Sequence, residues 1–293
     1  MPDANFTHAV QALLEQKLSM PVNVLEMPQM RGGSINTARR VRTDQGTFFL
    51  KHNNSADYPR MFHLERKGLD LLRSAGVFRI PEVIGVTETG GEDVLVLEMI
   101  DAGTPHFDFW VDFGRQLAAL HRNSNPQFGL DYDNYMGSLP QNNAFKDSWA
   151  AFMGEHRLLP ILKKAVDSGK AEPELIAPME RLVARLPEIF PEEKPALLHG
   201  DLWSGNFMAD LSGEPVLFDP AVYYGHREMD LAMSRLFGGF EPAFYHAYQE
   251  EWPLEQGWEE RVALCNLYPL LVHVQLFVGS YVQSVRNILA RFQ

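Results

Sequence analysis

The sequence predicts an α+β protein with two lobes, a small N-terminal lobe built on an antiparallel sheet and a larger, mainly helical C-terminal lobe. Short runs of β-branched and aromatic residues, bounded by turn residues, fall within the first hundred residues. Most of the remaining chain has hydrophobic residues at helical spacing. A connector with Gly and Pro, IDAGTPHF, begins at residue 100. We therefore expect an N-terminal lobe over residues 1–99 and a C-terminal lobe over residues 100–293.

The elements follow from local patterns. An amphipathic first helix is predicted by apolar residues at positions 6, 10, 13, 14 and 18. Strands are expected at 46–51 and 93–99, with a helix over 61–74 between them. The later helices are predicted at 110–122, 145–168, 173–190, 241–250 and 259–292, and Pro160 and Pro178 should end or kink two of them. Short apolar runs at 195–199 and 215–218 interrupt this helical pattern.

Composition excludes several classes of protein. The 293 residues include 26 Lys and Arg against 38 Asp and Glu, a net charge of −12, which argues against a broad nucleic-acid-binding surface. Cys265 is the only cysteine, so an intrachain disulfide and a thiolate zinc cluster are excluded, as expected in a reducing cytoplasm. The N-terminus has no secretory pattern, and the most apolar stretch, 267–279, is too short to span a bilayer. We expect a cytoplasmic protein without membrane or nucleic-acid partners.

The densest chemical signal is His199-Gly-Asp-Leu-Trp-Ser-Gly-Asn206, followed by Phe218-Asp219-Pro220. Asp201 and Asn206 have the separation of the catalytic Asp and the metal-binding Asn in the kinase motif H-R-D-L-x-x-x-N. Asp219 stands where a second metal-binding Asp is required. Carboxylate and amide oxygens suit Mg²⁺ and ATP, and an Asp can accept the proton of an attacking hydroxyl. A polar loop that only caps turns is the alternative, and the combined motifs favour phosphoryl transfer.

A strand-end lysine and a helical glutamate form a second signal. Lys51 ends the strand GTFFLK, and Glu65 follows 14 residues later on a predicted helix. Kinases place a Lys on the ATP phosphates and hold it with a helix Glu. A solvated surface pair is the alternative interpretation.

Two further segments are candidates for nucleotide binding. The turn before the strands could bring backbone N–H groups to phosphates through Gly32, Gly33 and Ser34. It lacks the full G-x-G-x-x-G pattern, and an ordinary hairpin explains it equally well. At the expected lobe boundary, adenine could contact the segment Glu98, Met99 and Ile100. Core packing is the other explanation for Met99.

Two residues near these motifs are expected to support structure. Asp230, in GHREMDLA, is interpreted as an anchor of the catalytic loop, and His199 as a supporting residue of the same loop. His121 ends an apolar helix and is expected to be a hydrogen-bonded core histidine.

HGDLWSGN and FDPAVYYGHREMDLAM resemble the fructosamine kinase (ketosamine-3-kinase) family, part of the aminoglycoside phosphotransferase and protein-kinase-like superfamily. The resemblance extends to GGSIN, FFLK, FGLDYDNYMGSLPQNN and SWAAFMGEHRLLP. It implies a protein-kinase-like two-lobed fold and ATP-dependent phosphorylation of the 3-hydroxyl of ketosamines. The unstable 3-phosphate then releases the amine, so the implied role is protein deglycation.

The resemblance also implies site roles and partners. Asp201 would be the base, Asn206 and Asp219 would bind Mg²⁺, and Lys51 with Glu65 would position ATP. The sugar would lie near Trp203, Tyr224, Arg227 and Asp131. Expected partners are ketosamine small molecules or glycated proteins, and no oligomeric state is implied. Some family members carry a Cys in the Gly-rich loop, whereas this chain has Gly-Gly-Ser there, so a loop thiol switch is not expected.

Two alternatives stay open from the sequence. One keeps the kinase chemistry but changes the acceptor to an aminoglycoside, choline or another sugar. The other is a pseudokinase that binds nucleotide without transferring phosphate, against which the complete set of motif residues weighs.

Overall fold

The computed structural model describes residues 3–30, 35–277 and 280–292. Its Cα atoms group into two compact units. The first unit contains residues 1–106 together with 208–219, and the second contains residues 107–207 together with 220–293. The segment 208–219 thus belongs with the N-terminal part of the chain, although it follows the Asp201 motif in sequence.

The first hundred residues form a five-stranded sheet with two helices. In chain order the elements are α1 (Ala4–Leu18), β1 (Val24–Glu26), β2 (Thr37–Thr43), β3 (Gly46–Asn54), α2 (Met61–Ser74), β4 (Val83–Thr89) and β5 (Glu92–Glu98). The strand order is β1-β2-β3-β5-β4, and every neighbouring pair is antiparallel. The predicted α1, α2, β3 and β5 are confirmed. Because β2 is rich in arginine and lacks an apolar run, its sequence did not predict a strand.

Alternation along β3 separates its apolar residues from Lys51. Phe48 and Leu50 belong to the apolar cluster that α1 covers, with Phe6 and Val10 among its members. Because successive side chains of a strand point to opposite faces, Lys51 projects from the other face of the sheet. The strand therefore places one long cation away from the apolar cluster.

From residue 107 onward the chain is mainly helical. The elements are α3 (Phe109–His121), β6 (Asn134–Met136), β7 (Leu139–Gln141), α4 (Trp149–Phe152), a π-helical turn (Met153–Leu158), α5 (Leu159–Asp167), a 3-10 turn (Pro173–Leu175), α6 (Ile176–Ile189), β8 (Ala196–Leu198), β9 (Phe207–Ala209), β10 (Pro215–Leu217), β11 (Tyr223–Gly225), α7 (Glu228–Leu236), α8 (Pro242–Glu251), α9 (Trp258–Cys265), α10 (Leu267–Leu276) and α11 (Tyr281–Arg291). The expected α+β fold, with an antiparallel N-terminal sheet and a helical remainder, is confirmed.

Two prolines act differently from each other. Pro160 is at the start of α5, directly after the π-helical turn, so the predicted helix over 145–168 is interrupted near it. Pro178 lies in the first turn of α6 and does not end the helix, because the N–H groups of a first turn have no intrahelical partner. The prediction that Pro178 ends a helix is therefore wrong. The predicted helix over 259–292 is divided into α9, α10 and α11.

No helix among the described residues combines the length and the apolar character needed to cross a membrane.

Candidate active site

In the first unit, one lysine joins two carboxylates. Lys51 Nζ donates to Glu65 Oε1 at 2.8 Å and to Asp219 Oδ1. Lys51 and Glu65 are largely buried, whereas the Asp219 side chain is 40% exposed. The structure therefore brings together three of the residues that the sequence selected, and a surface ion pair between Lys51 and Glu65 is excluded by their burial.

The ionisation of this cluster reflects its burial. Burial would lower the pKa of the Lys51 ammonium, but the carboxylates of Asp219 and Glu65 outweigh it and raise the pKa. Burial raises the pKa of Glu65, and the Lys51 charge offsets part of that effect. Lys51 therefore remains charged across the physiological range.

Asp219 has a backbone conformation that few residues other than glycine adopt. Its φ is +55°, in the left-handed region. Asp and Asn tolerate this region better than most residues because their short polar side chains bond locally. Strained backbone of this kind concentrates at functional sites, and here it directs one oxygen of the Asp219 carboxylate to Lys51.

The expected adenine segment lies at the end of β5. Glu98 accepts hydrogen bonds from Arg79 Nη2 at 2.8 Å and from the Glu82 backbone N–H at 3.2 Å. Arg79 also donates to Asp210 at 2.5 Å, which ties this end of the sheet to the turn after β9. Ile100 is buried, whereas Met99 is half-exposed. The Gly32, Gly33 and Ser34 turn lies outside the described residues.

In the second unit, Asp230 holds the start of the loop that carries Asp201. Its carboxylate accepts the backbone N–H of His199 at 2.7 Å and of Gly200 at 2.9 Å. Asp230 is 1% exposed, and His121 Nε2 lies 3.3 Å from its Oδ2 atom. The other ring nitrogen of His121 lies 2.8 Å from the hydroxyl of Tyr248. The geometry agrees with an anchor at Asp230 and a bonded core histidine at His121.

Asp201 and Asn206 face each other across the loop. Asn206 Nδ2 donates to the Asp201 carboxylate and to the Asp201 carbonyl oxygen, both at 2.9 Å. The Asn206 amide nitrogen is thus oriented towards Asp201, and the amide oxygen is the atom of this side chain with the chemistry of a metal ligand. The described residues contain no group of three or more His, Cys, Asp or Glu able to hold a metal. Mg²⁺ does not require such a group, because it binds one or two protein oxygens together with substrate phosphates.

Two glycines allow the loop to fold tightly. Gly200 has φ +82°, and a Cβ there would lie 2.1 Å from the Ala221 carbonyl oxygen. A Cβ on Gly205 would lie 2.4 Å from the ring of Trp203. The indole therefore packs on the loop backbone, and its ring also meets Phe237 edge-on with centroids 5.9 Å apart. This contact explains why a Trp and a Gly occur together in HGDLWSGN.

The other expected substrate residues have different surroundings. Asp131 is exposed and Tyr224 is half-buried, and burial followed by the charge of Asp131 raises the pKa of the Tyr224 hydroxyl. Arg227 is 2% exposed, donates to Glu193, and also donates to the carbonyl oxygens of Trp252 and Pro253. Its guanidinium binds these internal acceptors, and the expected place of Arg227 near the sugar stays a prediction.

The sequence did not predict three sets of side-chain contacts. Each of them joins segments that are distant in sequence. They are the Arg79–Asp210 ion pair, the Arg227–Glu193 ion pair and the contacts of the buried Arg157. No local motif marks them, because an ion pair between distant segments depends on the fold.

Comparisons with known proteins show which proteins this chain is similar to. A model of the family described as fructosamine kinase matches residues 6–293. The chain is 38% identical over 280 residues to a "Probable ketoamine kinase" of Synechocystis, covering 94% of this chain and 93% of that protein. It is 37% identical over 272 residues to a chloroplastic protein-ribulosamine 3-kinase of Arabidopsis thaliana, covering 91% of this chain and 82% of that protein.

Solved structures agree on the fold. A crystal structure of a candidate fructosamine-3-kinase from Haemophilus somnus superposes with a TM-score of 0.90 at 28% identity, covering 99% of each chain. An aminoglycoside phosphotransferase in complex with ADP and hygromycin B superposes with a TM-score of 0.60 at 15% identity, covering 97% of each chain. The second likeness concerns the fold alone.

The state of Cys265 gives a prediction about thiol chemistry. Burial raises the pKa of the Cys265 thiol, so the thiolate that reacts with electrophiles is scarce at neutral pH. We expect iodoacetamide to modify Cys265 only after unfolding, measured by intact mass. A Ser212→Cys variant, which adds a cysteine at an exposed turn position, should gain one modification in the native state. Rapid native labelling of the unsubstituted chain would contradict this.

Proposed function

Because the chain belongs to the fructosamine kinase family, we propose that it is an ATP-dependent kinase that phosphorylates the 3-hydroxyl of ketosamines. The proposed substrates are ribulosamine or fructosamine adducts of small amines or protein lysines. The observation that carries the proposal is the Asp201–Asn206 pair on a loop that Asp230 holds by two backbone N–H groups. This arrangement supplies a fixed carboxylate for the acceptor hydroxyl.

In the proposed reaction the acceptor oxygen attacks the γ-phosphorus of ATP. The new O–P bond forms as the bond from the γ-phosphorus to the β–γ bridging oxygen breaks, and ADP leaves. Asp201 accepts the hydroxyl proton, and its hydrogen bond from Asn206 Nδ2 keeps the carboxylate oriented. The charge and position of Lys51, held by Glu65, suit the ATP phosphates.

The proposed metal ligands fit Mg²⁺ by their chemistry. Asn206 offers an amide oxygen and Asp219 a partly exposed carboxylate, both hard oxygen donors. When bound, Mg²⁺ neutralises charge on the nucleotide phosphates. The 3-phosphate product is expected to break down and release the amine, which makes deglycation the proposed role.

An acceptor panel tests the substrate class. We expect ADP release from Mg²⁺-ATP with ribulosamine or fructosamine adducts of lysine, and phosphate on the 3-oxygen of the product by NMR. An aminoglycoside, choline and an unmodified sugar serve as matched acceptors and should give only the background rate. ADP release with none of the ketosamines would contradict the proposal, and turnover of a different acceptor would support the alternative kinase.

Substitution of Asp201 tests the base. Asp201→Asn keeps the shape of the side chain but removes the proton acceptor, so kcat should fall by roughly 10²–10⁴-fold. Asp167→Asn, at an exposed helix end, is the control and should leave kcat unchanged. An Asp201→Asn enzyme with the kcat of the unsubstituted chain would remove this role from Asp201.

A further inference from the structure

A fully buried arginine lies in the second unit. Arg157 is 0% exposed and stands in the π-helical turn between α4 and α5. No Asp or Glu in the described part of the chain forms an ion pair with it. A π-helical turn carries one residue more than an α-helical turn, and such turns are frequent at functional sites. A buried cation without a carboxylate is costly, so the site must compensate it by other contacts.

Aromatic rings and amide oxygens supply that compensation. The guanidinium carbon lies 4.4 Å from the centroid of the Phe152 ring and 4.5 Å from that of Tyr223. Its Nη1 donates to the Asn142 carbonyl oxygen at 2.5 Å, and its Nη2 donates to the Asn143 side-chain oxygen at 2.6 Å. Both rings offer their electron-rich surface to the charge. The planar fork of Arg157 therefore fixes two polar groups and the Tyr223 ring.

The contacts continue through three more side chains. Asn143 Nδ2 and Gln141 Nε2 both donate to Asn134 Oδ1 at 2.8 Å. The hydroxyl of Tyr268 donates to Gln141 Oε1 at 2.9 Å. All of these side chains are buried. We call the resulting set the Arg157 network: Asn134, Gln141, Asn143, Arg157 and Tyr268.

The network ends on the backbone that supports the catalytic loop. Asn134 Nδ2 donates to the Val222 carbonyl oxygen at 2.8 Å, and Gln141 Nε2 donates to that of Ala221 at 3.3 Å. The Ala221 N–H in turn donates to the His199 carbonyl oxygen at 2.9 Å. Strand β11, which begins at Tyr223, pairs with β8, the strand that leads into His199. The Arg157 network is thus two hydrogen bonds from the loop that carries Asp201.

A small cavity lies beside the loop that carries Asp201. Gly200 and Asp230 line a cavity of about 10 Å³ together with Tyr223 and Tyr268. Such a cavity has room for about one water molecule. On this side the loop is held by directional hydrogen bonds, from the Gly200 N–H to Asp230 and from the Ala221 N–H to the His199 carbonyl oxygen.

We propose that Arg157 is a positioning residue for phosphoryl transfer, which acts through its network on the Ala221–Tyr223 backbone and so on the placement of Asp201. A buried charge is often no more stabilising than an apolar residue of similar size, whereas it can impose a unique geometry. This inference rests on the proposed role of Asp201. It concerns a fully buried residue that would act through other side chains.

Two variants test the network. Arg157→Met keeps an unbranched side chain against the rings but removes the charge and the donors. We expect kcat with a ribulosamine to fall about 10²-fold, because small misplacements of reacting groups have effects of this size, while KM for ATP changes by less than about twofold. Tyr268→Phe removes a single hydrogen bond of the network and should lower kcat by several-fold. If Arg157→Met does not fold, Tyr268→Phe still tests the network.

A matched control separates positioning from lost stability. Leu162→Ala opens a cavity at a fully buried position of α5 and should lower Tm without a comparable fall in kcat at temperatures well below Tm. Hydrogen–deuterium exchange adds a readout that needs no activity. Peptides covering 199–206 and 220–225 should exchange faster in Arg157→Met and Tyr268→Phe than in Leu162→Ala.

The outcomes are distinguishable. An unsubstituted chain without activity on any ketosamine would overturn the proposed function and leave the exchange data to test the network. If the unsubstituted chain is active and the kcat of both network variants matches that of Leu162→Ala, Arg157 has only a structural role and the inference is wrong. Unchanged exchange in both peptides would also overturn it.

Discussion

The loop that carries Asp201 depends on one buried carboxylate. Asp230 accepts the backbone N–H groups of His199 and Gly200, and it can do so only because the chain at Gly200 adopts a left-handed conformation without a Cβ. A hydrogen bond to a charged group is stronger than a neutral one, and a buried carboxylate left without partners costs several kilocalories per mole. The position of Asp201, one residue after Gly200, follows from this constraint. His121 and the Arg157 network then support the same loop from α3 and from β6 and β7.

In the first unit, one lysine and two carboxylates form a cluster of charges. Lys51 is buried beside Glu65 and Asp219, so its positive charge is concentrated at one point of an otherwise acidic chain. The net charge of −12 therefore does not conflict with binding of an anionic nucleotide. Phosphate recognition by a single lysine with bound Mg²⁺ requires no basic surface. The left-handed backbone conformation of Asp219 directs its carboxylate to the same lysine. Asp219, the candidate metal ligand, is therefore hydrogen-bonded to Lys51, the candidate phosphate-binding residue.

Local signals predicted the fold and selected the candidate site residues, whereas the features that the sequence did not predict depend on long-range contacts. Three short-range patterns are visible directly in the sequence: the run of aromatic and apolar residues in β3, the helical spacing of α1 and the separation of Asp201 from Asn206. Strand β2 reads as a charged segment because its arginines line a partly exposed strand. The sequence also could not reveal that Arg227 bonds to Glu193 and the carbonyl oxygens of 252 and 253, since these partners approach only in the folded chain. Arg157 was missed for the same reason.

A double-mutant cycle on Asp201 and Asp230 tests the central claim most directly, namely that Asp230 contributes to catalysis through the placement of Asp201. Asp201→Asn, Asp230→Asn and the double variant would be compared by kcat with a ribulosamine, well below the Tm of each. If Asp230 acts only through Asp201, the double variant should have nearly the same kcat as Asp201→Asn alone. Once the Asp201 carboxylate is removed, its misplacement has no further effect on kcat. Losses that multiply in the double variant would contradict the account and assign Asp230 an independent role.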